Sequence, residues 1–239
     1  MTQYRRYAVY YTPPPGAFAD FGARWLGWDT ARGQLVPQPD LPGLDLHEAT
    51  QQPRKYGFHA TLKPPFRLAD GYGQNDLLHL ITELAAELPP VELPGLRLAR
   101  LGPFLALVSH ENNIPLRNLA DALVMKLDLL RAPLTQAEVL RRRPESLSVR
   151  QRTYLHRWGY PYVLEDFQFH MTLTGGLDPL ISDRFEQVLK QFRSLFPLPL
   201  PIESVSVMGE ADDGYFHEID RVTLKGSVRI HTAVTGSNS

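Results

Sequence analysis

The 239-residue chain contains no cysteine. Disulfide bracing, a thiolate metal site and cysteine-based nucleophilic catalysis are therefore all excluded. Long apolar runs are missing as well. Behind Arg5 and Arg6 the first apolar stretch reaches only Tyr11 before Pro13, Pro14 and Pro15, too short for a signal-peptide core, and nothing approaches the roughly 20 residues of a membrane span. Neither sign of charge is in excess: 25 Lys and Arg face 26 Asp and Glu, a net charge of −1. So balanced a chain sets up no global field for a long polyanion, which disfavours bulk nucleic-acid binding and leaves short RNA ends open. A small substrate, a cytoplasmic location and no membrane partner are the expectations. The oligomeric state is not legible.

What is present is core material. At 43% hydrophobic, the chain can bury a core without metals or disulfides. Arg6 to Thr12 reads as a strand, Ala17 to Trp28 as a helix, and a proline-rich irregular stretch runs on to Pro53. A strand through Phe58–Leu62 is expected to stop at Pro64 and Pro65, with Asn75 capping a helix to Leu88. Leu96–Leu101 and Phe104–Ser109 pair about Gly102 and Pro103. Helical patterning covers Leu116–Leu130 and the basic region Thr135–Arg157, where Ser148 and Gln151 have capping-box spacing. After Gly175 and Gly176 comes a helix from Pro179 to Leu195, and Ile202–Met208 and Tyr215–Leu224 flank the turn signal DDG. The elements give an α/β chain of the α+β type. Residues 1–225 read as one domain and 226–239 as a polar C-terminal tail.

One pattern occurs twice. FHATL at Phe58–Leu62 returns as FHMTL at Phe169–Leu173, 111 positions later. Residues two apart on a strand share a face at roughly 6 to 7 Å. His59, Thr61 and Lys63 then share one face, and Gln168, His170, Thr172 and Thr174 another. The opposite faces, Phe58, Ala60 and Leu62 or Phe169, Met171 and Leu173, are apolar. Each motif strand thus presents a proton carrier and a hydroxyl above a buried side. Each half also follows its motif with a helix and a strand pair, a weak internal duplication that predicts two lobes with their motifs opposed across one cleft.

Two imidazoles and two hydroxyls without an evident metal suit phosphodiester cleavage. One histidine takes a proton from the attacking oxygen, the other gives one to the leaving oxygen, and hydroxyl donors hold the remaining oxygens. A single such motif is ordinarily a solvated strand face; the shared Phe and Leu flanks argue for a paired site.

These paired motifs resemble those of the 2H phosphoesterase superfamily. The wider sequence, including RYAVYYTPP, WLGWD, RKYGFHATLKPPF, LRAPL, RRRPESLSVRQ, RWGYPYV and FHMTLTGGL, is similar to the branch of phosphonate-metabolism proteins often encoded beside carbon-phosphorus lyase genes. The resemblance covers most of the chain to about Leu224. It implies a bilobal 2H phosphoesterase-like fold with a pseudo-two-fold, two antiparallel sheets lining a central cleft and helices outside. It also implies catalysis or phosphate binding by His59, Thr61, His170 and Thr172. The expected activity is metal-independent hydrolysis of a small cyclic phosphate, nucleoside or sugar, with no cofactor. Two alternatives stay open: a binding module for a phosphorylated metabolite without turnover, and a hydrolase with His59 and His170 as metal ligands, although no HExxH or carboxylate cluster completes such a site.

Further candidates for substrate binding are Lys63 and Thr174 on the motif faces, Tyr10 as a ring platform, and Tyr56 at the cleft mouth. Arg131 and Arg152 are nominated from a segment of seven arginines, Arg131 to Arg157, that holds only Glu138 and Glu145 as acids; their guanidinium groups suit a second phosphate or a carboxylate. Trp158 and Tyr160 could wall the pocket. His47, His79, His110, His217 and His231 lack a threonine two places on and receive no role.

Overall fold

The structure is a computed structural model and describes residues 4–227. From residue 228 onward the expected tail lies outside the described residues. The strands are β1 Arg6–Tyr11, β2 Trp28–Asp29, β3 Gln34–Leu35, β4 Ala60–Phe66, β5 Val91–Leu93, β6 Leu96–Leu101, β7 Phe104–Ser109, β8 His170–Thr172, β9 Leu200–Ile202, β10 Ser204–Glu210 and β11 Phe216–Thr223. The helices are α1 Ala17–Leu26, α2 Leu46–Ala49, α3 Gln51–Arg54, α4 Gln74–Glu87, α5 Ile114–Lys126, α6 Gln136–Arg141, α7 Val149–Trp158 and α8 Pro179–Lys190.

Helix ends follow local chemistry. Gly27 closes α1 in the left-handed region at φ 82°, so the helix stops two residues before the Trp28 end its periodicity suggests. Ser148 and Gln151 form the anticipated capping box of α7. The start of α4 differs: Gly73 is the N-cap and its amide donates to the Asp76 carboxylate, so Asn75 lies inside the first turn.

Seven strands make one antiparallel sheet, β11-β10-β1-β4-β8-β7-β6. This corrects the expectation of two sheets facing across a cleft, because both motif strands are neighbours in the middle of a single sheet. They join through one ladder pair, Ala60 with Met171. The remaining pairs, β2-β3 and β5-β9, are two-stranded.

Strand β4 also runs through Pro64 and Pro65 to Phe66, where the prolines were expected to end it. Its register with β1 shifts twice there, and β8 pairs with it only at Ala60. The missing proline N–H groups therefore fall where the ladder is already interrupted.

One face of the sheet is the core. Tyr7, Val9 and Tyr11 of β1, Leu62 and Phe66 of β4, Leu105 and Leu107 of β7 and Met171 of β8 pack there with α1, α4, α5 and α8. Ala8, Tyr10, Met208 and Phe216 form a small separate cluster on the other face. Alternation of side chains puts the histidine and threonine of each motif on that second face.

Candidate functional site

The antiparallel pairing of Ala60 with Met171 decides the arrangement of the motifs. One step along each strand sets Thr61 opposite His170 and His59 opposite Thr172. The four side chains that the sequence separates by 111 positions thus become two crossed pairs on adjacent strands, within the reach of cross-strand neighbours.

The two imidazoles are held in the same way. His59 Nδ1 lies 2.9 Å from the carbonyl oxygen of Gly57, and His170 Nδ1 lies 2.9 Å from that of Gln168. A carbonyl can only accept, so each Nδ1 carries the hydrogen and each Nε2 is left as the working atom. In His59 that atom accepts from the Thr61 hydroxyl at 3.2 Å. Gly57 makes this geometry possible. Its φ is 74°, and a Cβ built there would meet Thr30 Cγ2 at 2.2 Å, so only glycine fits. Its place two residues before His59 is the signal the sequence holds for this anchor.

Beyond that shared anchor the histidines differ. His59 stacks on Tyr10 with ring centroids 3.8 Å apart, and Tyr56 is near-parallel to it at 6.2 Å. Burial among these rings lowers the His59 pKa to about 4; the Gly57 carbonyl partly opposes the shift and His170 adds to it. His170 has Phe104 as its aromatic neighbour, at 6.1 Å.

Tyr10, suggested as a platform for a substrate ring, has its face occupied by His59. Its phenol is buried without a hydrogen-bond partner among the described residues, and burial pushes its pKa well up. Tyr56, 37% exposed, stacks on Phe216 at 5.2 Å and does stand beside the pair. Tyr160 lies near enough to Tyr10 for its phenol to add to the rise in the Tyr10 pKa, with the Arg142 guanidinium 4.6 Å over its ring. Trp158 instead carries Arg157 over its own ring. Phe216 and Phe104, which complete the aromatic surround, carried no sequence signal.

Four nominated residues are placed elsewhere, each for a local reason. Lys63 was expected beside Thr61. Tyr10 pairs with Thr61 but Val9 pairs with Lys63, so one step on β1 spans two on β4, and this bulge turns Lys63 to the core face with Val9. Its ammonium donates to the Val124 carbonyl at 3.0 Å and lies over Phe66; burial lowers its pKa to about 8. Thr174 lies beyond the end of β8, buried, with its hydroxyl accepting from the Leu105 amide at 3.0 Å. Arg131 binds Asp128 at 2.7 Å and donates to the Ala132 and Arg157 carbonyls, tying the chain together. Arg152 donates to the Leu147 carbonyl. The carbonyls that engage these cations come from the folded backbone and have no signature in the side-chain sequence.

Among the described residues no group of three or more His, Asp or Glu side chains is arranged to hold a metal ion, and no helix is long and apolar enough to cross a membrane.

Known proteins resemble this chain over most of its length. It is 37% identical over 231 residues to a protein of Janthinobacterium sp. (strain Marseille) named ribose 1,5-bisphosphate phosphokinase PhnN, covering 92% of this chain and 51% of that protein. A protein of the same name from Laribacter hongkongensis (strain HLHK9) is 32% identical, covering 95% of this chain and 54% of that one. The chain therefore spans about half the length of these relatives. The crystal structure of TT0787 of Thermus thermophilus aligns with a TM-score of 0.47 at 15% identity, covering 93% of this chain and 100% of that one. The relatives' names overturn the expected hydrolysis of a cyclic phosphate diester. A phosphokinase passes a phosphoryl group to its substrate, so the hydrolase and phosphodiesterase assignments are withdrawn, and the alternative of binding without turnover gains nothing from them. Residues 61–217 match the family described as "Protein of unknown function (DUF1045)", and the chain belongs to that family.

Proposed function

We propose that this chain performs phosphoryl-transfer chemistry on a small phosphorylated sugar, with His59 and His170 moving protons and Thr61 and Thr172 holding phosphoryl oxygens. The observation that carries the reading is the matched pair of imidazoles. Each has Nδ1 committed to a main-chain carbonyl two residues earlier, so two Nε2 atoms are presented from adjacent strands. The neutral His59 accepts the proton of a sugar hydroxyl as its oxygen bonds to the transferred phosphorus, and His170 gives a proton to the donor oxygen (ADP, where ATP is the donor) whose P–O bond breaks. On phosphoryl binding, the Thr61 hydroxyl turns its hydrogen from His59 to a phosphoryl oxygen and frees the Nε2 lone pair. Positioning and charge stabilisation are most of what a protein contributes to such a transfer.

The relatives' name supports the substrate class, and it fits the phosphonate-associated branch that the sequence resembles. The paired motifs of the 2H superfamily support the placing of a phosphoryl group between the two histidines. The chain has no GxxxxGK[ST] loop for nucleotide phosphates, so the reading rests on the histidine and threonine pairs alone. The test is ³¹P NMR of ribose phosphates with the protein and ATP. His59→Ala or His170→Ala should lower turnover by roughly 10² to 10⁴ fold, and the double variant by little more. Near-full rates in both single variants with the fold intact, or no binding and no turnover of any ribose phosphate by the unaltered chain, would overturn the reading.

A further inference from the structure

Across the face that carries the histidines, the ladders define one straight row. Tyr10 pairs with Thr61, Thr61 lies opposite His170, His170 pairs with Val108, and Val108 pairs with Arg97. Direct partners point to the same side of a sheet, and the β8-β7-β6 ladders run without a register shift. Arg97 therefore rises from the histidine face two strands beyond His170, at about 10 Å between Cα atoms from two inter-strand spacings of roughly 4.8 Å. The residues between and beside them, Val108, Ala106 and Ala99, are small or apolar and compete for neither group.

Arg97 also differs in its bonding from Arg6 and Arg221, the arginines of β1 and β11 on this face. Arg6 on the same face is paired with Glu210, and Arg221 with Glu218 and Thr12. Arg97 is exposed and has no hydrogen bond or ion pair among the described residues. It lines a cavity of about 350 Å³ whose wall includes Gln168, the residue whose carbonyl holds His170 Nδ1. Arg117 adds a second cation to the lining; Glu111 and Glu165 are also there, the latter engaged by the Tyr154 hydroxyl.

We propose that Arg97 binds a second anionic group of the substrate, which makes the site selective for bisphosphorylated over monophosphorylated sugars. The assignment rests on the phosphoryl reading of His59 and His170. With one phosphoryl group at the histidines, a guanidinium on that row meets a second phosphate carried across a sugar ring, and its planar fork suits bidentate contact. Arg97 touches no reacting atom, so it sets affinity and orientation.

Calorimetric titration with a ribose bisphosphate and a ribose monophosphate tests this. The unaltered chain should favour the bisphosphate, and Arg97→Gln should reduce that preference by roughly 10- to 100-fold, the worth of a hydrogen-bonded charge pair. Arg97→Lys should keep part of it. Arg100→Gln should leave it unchanged, because Arg100 is held on the helix side by Asp183 and Glu186. An unaltered chain without preference, or an unchanged ratio in Arg97→Gln while Thr172→Val weakens both sugars, overturns the role of Arg97 and leaves the phosphoryl reading standing. If Thr172→Val alters neither affinity, the phosphoryl reading fails and this inference fails with it.

Discussion

Acidification should destabilise the protein through His59 in a pH window set by its burial. The folded pKa is lowered to about 4 from the ordinary 6.5, with burial as the main cause. A depressed pKa means that the unfolded chain takes up the proton first. The stability at stake is therefore fully present above pH 6.5, declines as the pH falls, and is exhausted below about 4. Linkage over those two values gives a loss of about 2 kcal/mol between about pH 7.5 and 5. Glu138, held down to about 2 by Arg67, contributes its own loss only below about pH 4.5 and so falls outside the window. Urea unfolding at about pH 7.5 and 5 should show a loss of stability larger by about 2 kcal/mol in the wild type than in His59→Gln, which removes the titrating group. NMR should place the midpoint of the His59 ring Cε1–H near pH 4. Equal losses in the two proteins, or a midpoint near 6.5, would refute the argument that the Tyr10 stack excludes water from this imidazole.

Lys63→Met should leave sugar-phosphate affinity unaltered, as measured by titration, because the ammonium faces Val124 and Phe66 in the core. Its folded pKa of about 8 lies below the ordinary 10.5, so the wild type should gain about 2 kcal/mol between about pH 7 and 9.5 as the buried amine loses its proton first; Lys63→Met should not show that gain in urea unfolding. Thr174→Val removes the acceptor of the Leu105 amide and should cost roughly 1 to 3 kcal/mol in the same assay, with substrate affinity retained.

Much of the fold could be read from single residues and short spacings. The β6-β7 hairpin about Gly102 and Pro103 has the expected strand bounds, and Ser148 with Gln151 starts α7 as a capping box does. The apolar flanks of both motifs, Phe58 and Leu62 and Phe169 and Leu173, are buried in the main core. Such features depend on neighbours within about four residues, where propensity, capping and alternation act. The two FHxTL copies marked four side chains for attention by the same local rule.

What tertiary structure alone decided was who stands beside whom. The internal likeness of the two halves suggested facing sheets, yet the motif strands are neighbours in one sheet, because strand order is a choice among long-range pairings that no local pattern encodes. Strict alternation carried Lys63 to the site, and a bulge opposite Val9 carried it to the core; a ladder shift exists only between two strands. Arg131 and Arg152 looked like free cations until the folded chain delivered carbonyls to them. Arg97 drew no notice in a sequence with many arginines, and stands out only because two unbroken ladders align it with His170. The sequence by itself thus determined which residue types line each strand face, through the two-residue repeat of an extended chain. Which faces meet, and which charges remain unpaired, was settled by contacts between segments as far apart as His59 and His170.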